Sequence, residues 1–178
     1  DPLTKTASIV LERESSLKYQ SRCVTFLQGG IGIALGSIEG RVAIEFLPTE
    51  LLQSGGDQQI PKKKYAFKCH RVNDTVYPVN CLALHPTHGT FATGGCDGTV
   101  VTWDGLQKKK LATLPSFSTS IAALAFSPTS TATTSNTTPS LLLAIAASYT
   151  FEEGERDHPK DEIFIRRMLD SEVTPKTK

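Results

Sequence analysis

Apolar residues along this chain recur at every second position in short bursts, and nowhere at helical spacing. Arg41-Val42-Ala43-Ile44-Glu45-Phe46 is one such burst, and Val79 to Leu84 is another. Alternation sends successive side chains to opposite faces of an extended strand. The bursts fall into three sets. The first holds Val24 to Phe26, Gly32 to Leu35, Arg41 to Phe46 and Tyr65 to Cys69. The second holds Val79 to Leu84, Phe91 to Thr93, Val100 to Trp103 and Leu111 to Leu114. The third holds Ile121 to Phe126, Leu141 to Ala146 and Ile163 to Arg166. Between them lie turn residues: Gly29-Gly30, Ile38-Glu39-Gly40, His85-Pro86, Gly94 to Gly98 and Asp104-Gly105. The pattern predicts an all-β chain with evenly spaced short strands.

The sets also align with one another. Asn80-Cys-Leu-Ala-Leu-His-Pro opens one, Ser120-Ile-Ala-Ala-Leu-Ala-Phe-Ser-Pro another, and Pro86 and Pro128 lie 42 residues apart. A period of about 40–45 residues with four strands per unit is that of the WD-repeat β-propeller. The second set carries the sharpest version. Gly94-Gly95-Cys96-Asp97-Gly98 leads into Val100-Val101-Thr102-Trp103-Asp104, so a Trp-Asp pair ends its third strand. Asp97, His70, Thr93 and Trp103 are placed to form the hydrogen-bonded relay that pins such a blade, since a buried Asp and His need partners. No nucleophile accompanies His70 and Asp97, so the pair is read as structural.

The expected organisation is a partial propeller of about three blades. Residues 1–20 form an outer strand of a preceding blade and a connector; 21–71, 72–115 and 116–178 form three blades. The third is lengthened by two loops. Thr129 to Ser140 is rich in Ser, Thr and Pro, and Phe151 to Glu162 mixes charges. Asp1-Pro2 reads as the tail of an earlier Trp-Asp-Pro, and Thr6 to Arg13 as that blade's orphan strand. The chain is therefore expected to be a piece of a longer protein, with two open edges.

Charge changes this picture little. Nineteen Lys and Arg against 18 Asp and Glu give a formal +1 over 178 residues. That excludes a strongly basic nucleic-acid binder, and a nucleic-acid partner is not expected. The longest apolar run, Leu141 to Ala147, is far below the ~18 residues of a membrane helix, so no membrane partner is expected either. The four cysteines, Cys23, Cys69, Cys81 and Cys96, form no CxxC pair and read as free, buried thiols of a reducing compartment.

Candidate chemistry is sparse. Cys81-x3-His85-x2-His88, with Cys69 or Cys96 as a fourth ligand, lacks the spacing of paired metal knuckles and is read as core cysteine and turn histidine. Gly30-Ile-Gly32 begins a dinucleotide fingerprint, but Leu35 takes the third position and a strand follows. No metal, cofactor or enzymatic constellation emerges. The densest positive cluster is Lys62 to Lys64 with Lys68 and Arg71, and Arg22 and Arg41 lie at strand edges of the first set. An arginine fork suits phosphate or carboxylate, so Arg22, Arg41 and Arg71, converging from neighbouring blades, are read as a pocket for a phosphorylated or acidic peptide.

Several longer strings are family-specific. They are Arg13-Glu-Ser-Ser-Leu-Lys-Tyr-Gln-Ser-Arg22-Cys, Gly36-Ser-Ile-Glu-Gly-Arg-Val-Ala-Ile-Glu-Phe46, Lys62-Lys-Lys-Tyr-Ala-Phe-Lys-Cys-His-Arg71, Thr90-Phe-Ala-Thr-Gly-Gly and His158-Pro-Lys-Asp-Glu-Ile-Phe-Ile-Arg166. Together they resemble the WD-repeat spindle-checkpoint proteins of the Bub group, over nearly the whole chain. The WD-repeat mRNA-export factor that docks at nuclear pores is the next relative and shares the Gly36 to Ile44 string. The resemblance implies a seven-bladed propeller and a non-catalytic adaptor, nuclear and at kinetochores in mitosis. Its implied partners are a Bub-type checkpoint kinase or kinase-related protein and a phosphorylated kinetochore scaffold. By matched position, Lys18 and Arg22 resemble residues that bind the kinase-side motif. Arg41 and Arg71 resemble residues that contact phosphothreonine in Met-Glu-Leu-Thr repeats. The mRNA-export relative, which binds a nucleoporin motif, is the alternative.

Overall fold

A computed structural model of the chain describes residues 7–52, 63–128 and 141–176. The first sheet is an antiparallel meander of β1 (Ser21–Phe26), β2 (Gly32–Ser37), β3 (Arg41–Phe46) and β4 (Tyr65–Lys68), in that spatial order. A two-stranded hairpin follows, β5 (Arg71–Val72) and β6 (Thr75–Val76). The second sheet repeats the meander with β7 (Val79–Leu84), β8 (Phe91–Gly95), β9 (Val100–Asp104) and β10 (Lys109–Thr113). The third has β11 (Ile121–Phe126), β12 (Leu142–Ala147) and β13 (Glu162–Arg167). One short helix, α1 (Asp170–Val173), comes last.

Each strand burst of the sequence is a strand of the structure, with ends moved by up to three residues. The hairpin β5–β6 and helix α1 are additions. The hairpin had a local signal, because Asn73-Asp74 sits between Val72 and Thr75 and Asn73 takes a left-handed φ of 52°, which Asn tolerates. The helix had none, since four residues are too few to show a stripe.

The three sheets repeat one geometry. The first strand of each carries a register shift near its start, at Ser21/Cys23, Val79/Cys81 and Ile121/Ala123. At that point the first strands of the first and second sheets each meet the first strand of the next. The Cys23 thiol reaches the Val79 carbonyl at 3.5 Å, and the equivalent Cys81 thiol reaches the Ile121 carbonyl at 3.9 Å. Asn80 Nδ2 also donates to the Ile121 carbonyl, at 3.0 Å. The close approach requires glycine on the second strand. A Cβ on Gly36 would lie 2.9 Å from Val79 Cγ1, and one on Gly94 would lie 2.5 Å from Ile121 Cγ2.

Core side chains fill the two spaces between sheets. Ile44, Val42 and Phe91 pack between the first and second. Val100, Ile121, Leu143 and Ile145 pack between the second and third. Complete burial of an aliphatic or aromatic side chain of this kind stabilises by about 1.5–3 kcal/mol. After β13 the chain crosses back to the second sheet, where the hydroxyls of Thr102 and Thr90 donate to the carbonyls of Glu172 and Val173, at 2.6 and 2.7 Å. The outer faces are apolar as well. Val24 and Phe26 on β1, and Ile163 and Ile165 on β13, are exposed. Residues 7–14 have no strand pairing among the described residues, and Ile9 and Val10 are exposed there. The Gly55 to Gln59 loop, Lys62 and the Thr129 to Ser140 run lie outside the described residues.

Candidate functional site

The register of the first sheet gathers its charged positions at one end. Ser21 pairs with Ser37, Ser37 with Arg41, and Arg41 with Lys68. Arg22 follows Ser21 and Arg71 follows Lys68 by three residues, so the arginines of interest share this end. Arg22 and Arg41 come from one sheet and Arg71 from the hairpin after it, a closer arrangement than convergence from neighbouring blades.

Arg41 and Arg71 meet at Glu39, in the turn between β2 and β3. Arg41 Nε lies 3.2 Å from Glu39 Oε2, and Arg71 Nη2 donates to the Glu39 carbonyl at 2.8 Å. Arg22 points to a different cluster. Its Nη1 donates to Asn80 Oδ1 at 2.7 Å and pairs with Glu152 Oε1 at 2.9 Å. Glu152 also accepts from the Cys96 thiol at 2.8 Å and the Thr150 hydroxyl at 2.5 Å. Burial alone would raise the Glu152 carboxyl; these donors, with Arg22, hold it below its usual range. Beside Glu152 is a cavity of about 430 Å³, walled by Val76, Tyr77, Phe117, Tyr149 and Arg156. Tyr77, Phe117 and Tyr149 are its aromatic members, set among mostly polar neighbours.

Lys18 is exposed on the connector before β1. That connector is anchored by a carboxylate that no sequence motif singles out. Glu45 on β3 is 2% exposed, pairs with Arg13 Nη2 at 2.7 Å and accepts from the Ser16 hydroxyl and amide. Glu45 is the one acidic residue of β3, and it is buried because the connector folds over it.

The structure brings His70, Thr93, Asp97 and Trp103 together. Trp103 Nε1 donates to Thr93 Oγ1 at 2.9 Å; Thr93 Oγ1 lies 2.7 Å from His70 Nε2, and His70 Nδ1 lies 2.9 Å from Asp97 Oδ1. Thr99 adds its hydroxyl to Asp97 Oδ2 at 2.9 Å. The His70 side chain is 0% exposed. Burial would raise the Asp97 carboxyl, but the hydrogen bonds from His70 and Thr99 outweigh it and bring it below its ordinary value. Among the described residues no three His, Cys, Asp or Glu side chains gather as metal ligands. Cys81 faces the Gly94 and Ile121 carbonyls, and His85 Nδ1 accepts the amides of Thr87 and His88. All four cysteines are free thiols.

Repeated four-stranded meanders joined at their first strands, with this relay in the second, make the chain part of a WD-repeat β-propeller. The family model for the WD domain, G-beta repeat, matches residues 61–104. That span starts before β4 and ends with β9, so one sequence repeat straddles two sheets. Sqt1 from Chaetomium thermophilum, in a crystal structure with the N-terminus of ribosomal protein L10, superposes with a TM-score of 0.50 at 17% identity, over 71% of this chain and 29% of that one. Within the WD-repeat class the chain is related to the mitotic checkpoint proteins of the Bub group. It is 48% identical to mitotic checkpoint protein bub3 of Dictyostelium discoideum and 51% identical to BUB3.1 of Arabidopsis thaliana, over 91% and 93% of this chain. The mRNA export factor of Mus musculus is more distant, at 35% identity over 93% of this chain and 44% of that protein. The chain spans 45% of the length of either checkpoint relative.

Proposed function

We propose that this chain is the propeller segment of a non-catalytic adaptor in the mitotic spindle assembly checkpoint, working at kinetochores. The observation that carries the reading is the meeting of Arg41 and Arg71 on one turn of a chain whose sequence follows the checkpoint proteins. Two guanidinium groups on one acidic turn form a natural seat for a doubly charged phosphate. In this reading Arg41 and Arg71 take the phosphothreonine of a scaffold peptide. Lys18 and Arg22 take acidic residues of a kinase-side motif, which lies along the cavity beside Glu152. The relay of His70, Thr93, Asp97 and Trp103 holds the second blade rigid beneath both surfaces, and the three sheets are successive blades. Recognition by preorganised side chains on strand ends needs no chemical step, so the propeller works as a platform.

Localisation tests the reading against its alternative. A fluorescently tagged protein should concentrate at unattached kinetochores in mitosis and lose that position when Arg41 and Arg71 are both changed to Glu. Concentration at the nuclear rim, with no kinetochore signal, would contradict it and favour the mRNA-export assignment.

A further inference from the structure

Glu39 and Arg41 hold in the first sheet the places that Asp97 and Thr99 hold in the second. Ser37-Ile-Glu-Gly-Arg41 and Gly95-Cys-Asp-Gly-Thr99 are the same turn in successive repeats. Gly40 and Gly98 close them with left-handed φ values of 60° and 71°. In both, the acid meets the side chain two positions on: Asp97 accepts from the Thr99 hydroxyl, and Glu39 forms an ion pair with Arg41. The second-sheet pair serves the buried His70. The first-sheet pair uses longer side chains and lies at the surface, with side chains 18% and 35% exposed.

The main chain of the Glu39 turn is held from behind. The Cys69 amide donates to the Gly40 carbonyl at 3.0 Å, and Arg71 holds the Glu39 carbonyl. A Cβ on Gly40 would lie 2.8 Å from the Cys69 carbonyl oxygen, so this backbone fits tightly against the chain behind it. The Glu39 carboxylate is joined to Arg41 by an ion pair, with Nε 3.2 Å from Oε2. Rotation about the Glu39 side-chain bonds removes it and leaves the turn in place.

We propose that Glu39 is an internal carboxylate ligand of Arg41 that an incoming phosphothreonine must displace, and that it thereby holds down the affinity of the site for anionic peptides. The inference rests on the phosphothreonine reading of Arg41 and Arg71. A peptide Glu or Asp offers Arg41 one negative charge, which only replaces the one Glu39 already supplies. Phosphothreonine offers about −1.5 to −2 charges and three acceptor oxygens, enough to engage the guanidinium bidentately and displace Glu39. A phosphomimetic peptide bears the same displacement cost with less charge to offset it.

The test uses fluorescence anisotropy with three peptides identical except at one position, carrying phosphothreonine, Thr or Glu. Wild type should bind the first and scarcely separate the other two. Glu39→Gln keeps the size of the side chain and removes the charge. It should tighten the phosphothreonine and Glu peptides alike by about two- to five-fold, the scale of one exposed ion pair, and leave the Thr peptide unchanged. Unchanged or weaker binding of both anionic peptides, with wild-type phosphate preference intact, overturns the role of Glu39 alone. Equal binding of the phosphothreonine and Thr peptides by wild type overturns the reading of the site, and the role of Glu39 with it.

Discussion

The indole N–H of Trp103 donates to the Thr93 hydroxyl oxygen at 2.9 Å, which orients the Thr93 proton toward His70. With His70 protonated at Nδ1, donors run in one direction from Trp103 through Thr93 and His70 to Asp97. All members are at least half buried, so deleting one strands its neighbour without water. Thr93→Val should cost about 1–3 kcal/mol, as expected for an unsatisfied buried polar group. Trp103→Phe combined with it should cost less than the sum of the two, because both break the same chain. Denaturant unfolding of the single and double variants checks this.

Acid should weaken the fold in two stages. Burial, aided by the neighbouring His88, lowers the His85 imidazole from 6.5 to about 4. The unfolded chain therefore takes up a proton that the folded chain refuses, and stability falls as pH drops from about 6.5 toward 4. Asp97, held below its ordinary 3.8, adds a second loss below that pH. His85→Gln should flatten the first stage and leave the second, as measured by urea midpoints across the pH range.

Gly94 separates the steric account of the sheet junction from a conformational one. Its backbone suits any residue, so what opposes a methyl group is close packing, with Ile121 Cγ2 at 2.5 Å and Cys81 Sγ at 2.7 Å. Gly94→Ala should destabilise by about 1–3 kcal/mol, the range for overpacking, and combined with Ile121→Ala, which removes Cγ2, it should cost less than the sum of the two single changes. Thermal melts of the two variants together provide the check.

The four thiols should be slow nucleophiles. Burial pushes Cys69 and Cys81 up to about 12 and Cys23 to about 11, and burial with the Glu152 hydrogen bond takes Cys96 to about 11. Thiolate is the reactive form, so iodoacetamide near neutral pH should label all four only after denaturant is added. Mass spectrometry before and after denaturation reads the result.

Strand placement was legible because alternation is a property of each strand alone. The relay was legible because His70, Thr93, Asp97 and Trp103 sit at fixed places in one repeat. Contacts between repeats were harder to see. No sequence motif singles out Glu45, which is buried by Arg13 and Ser16, 29 or more residues away. Arg22 likewise meets Glu152 across 130 residues, a pairing set by how the sheets stack. Glu39 lay within reach of sequence reasoning, since its turn repeats that of Asp97; only the structure shows that its carboxylate faces Arg41.

The most direct measurement is calorimetric titration of the protein with a Met-Glu-Leu-Thr peptide, phosphorylated and unphosphorylated, repeated with Arg41→Glu and Arg71→Glu. Phosphate-dependent binding by wild type, lost in both variants while their melting temperatures hold, is the predicted result. Equal affinity for the two peptides, or phosphate-dependent binding that survives both charge reversals, would contradict it.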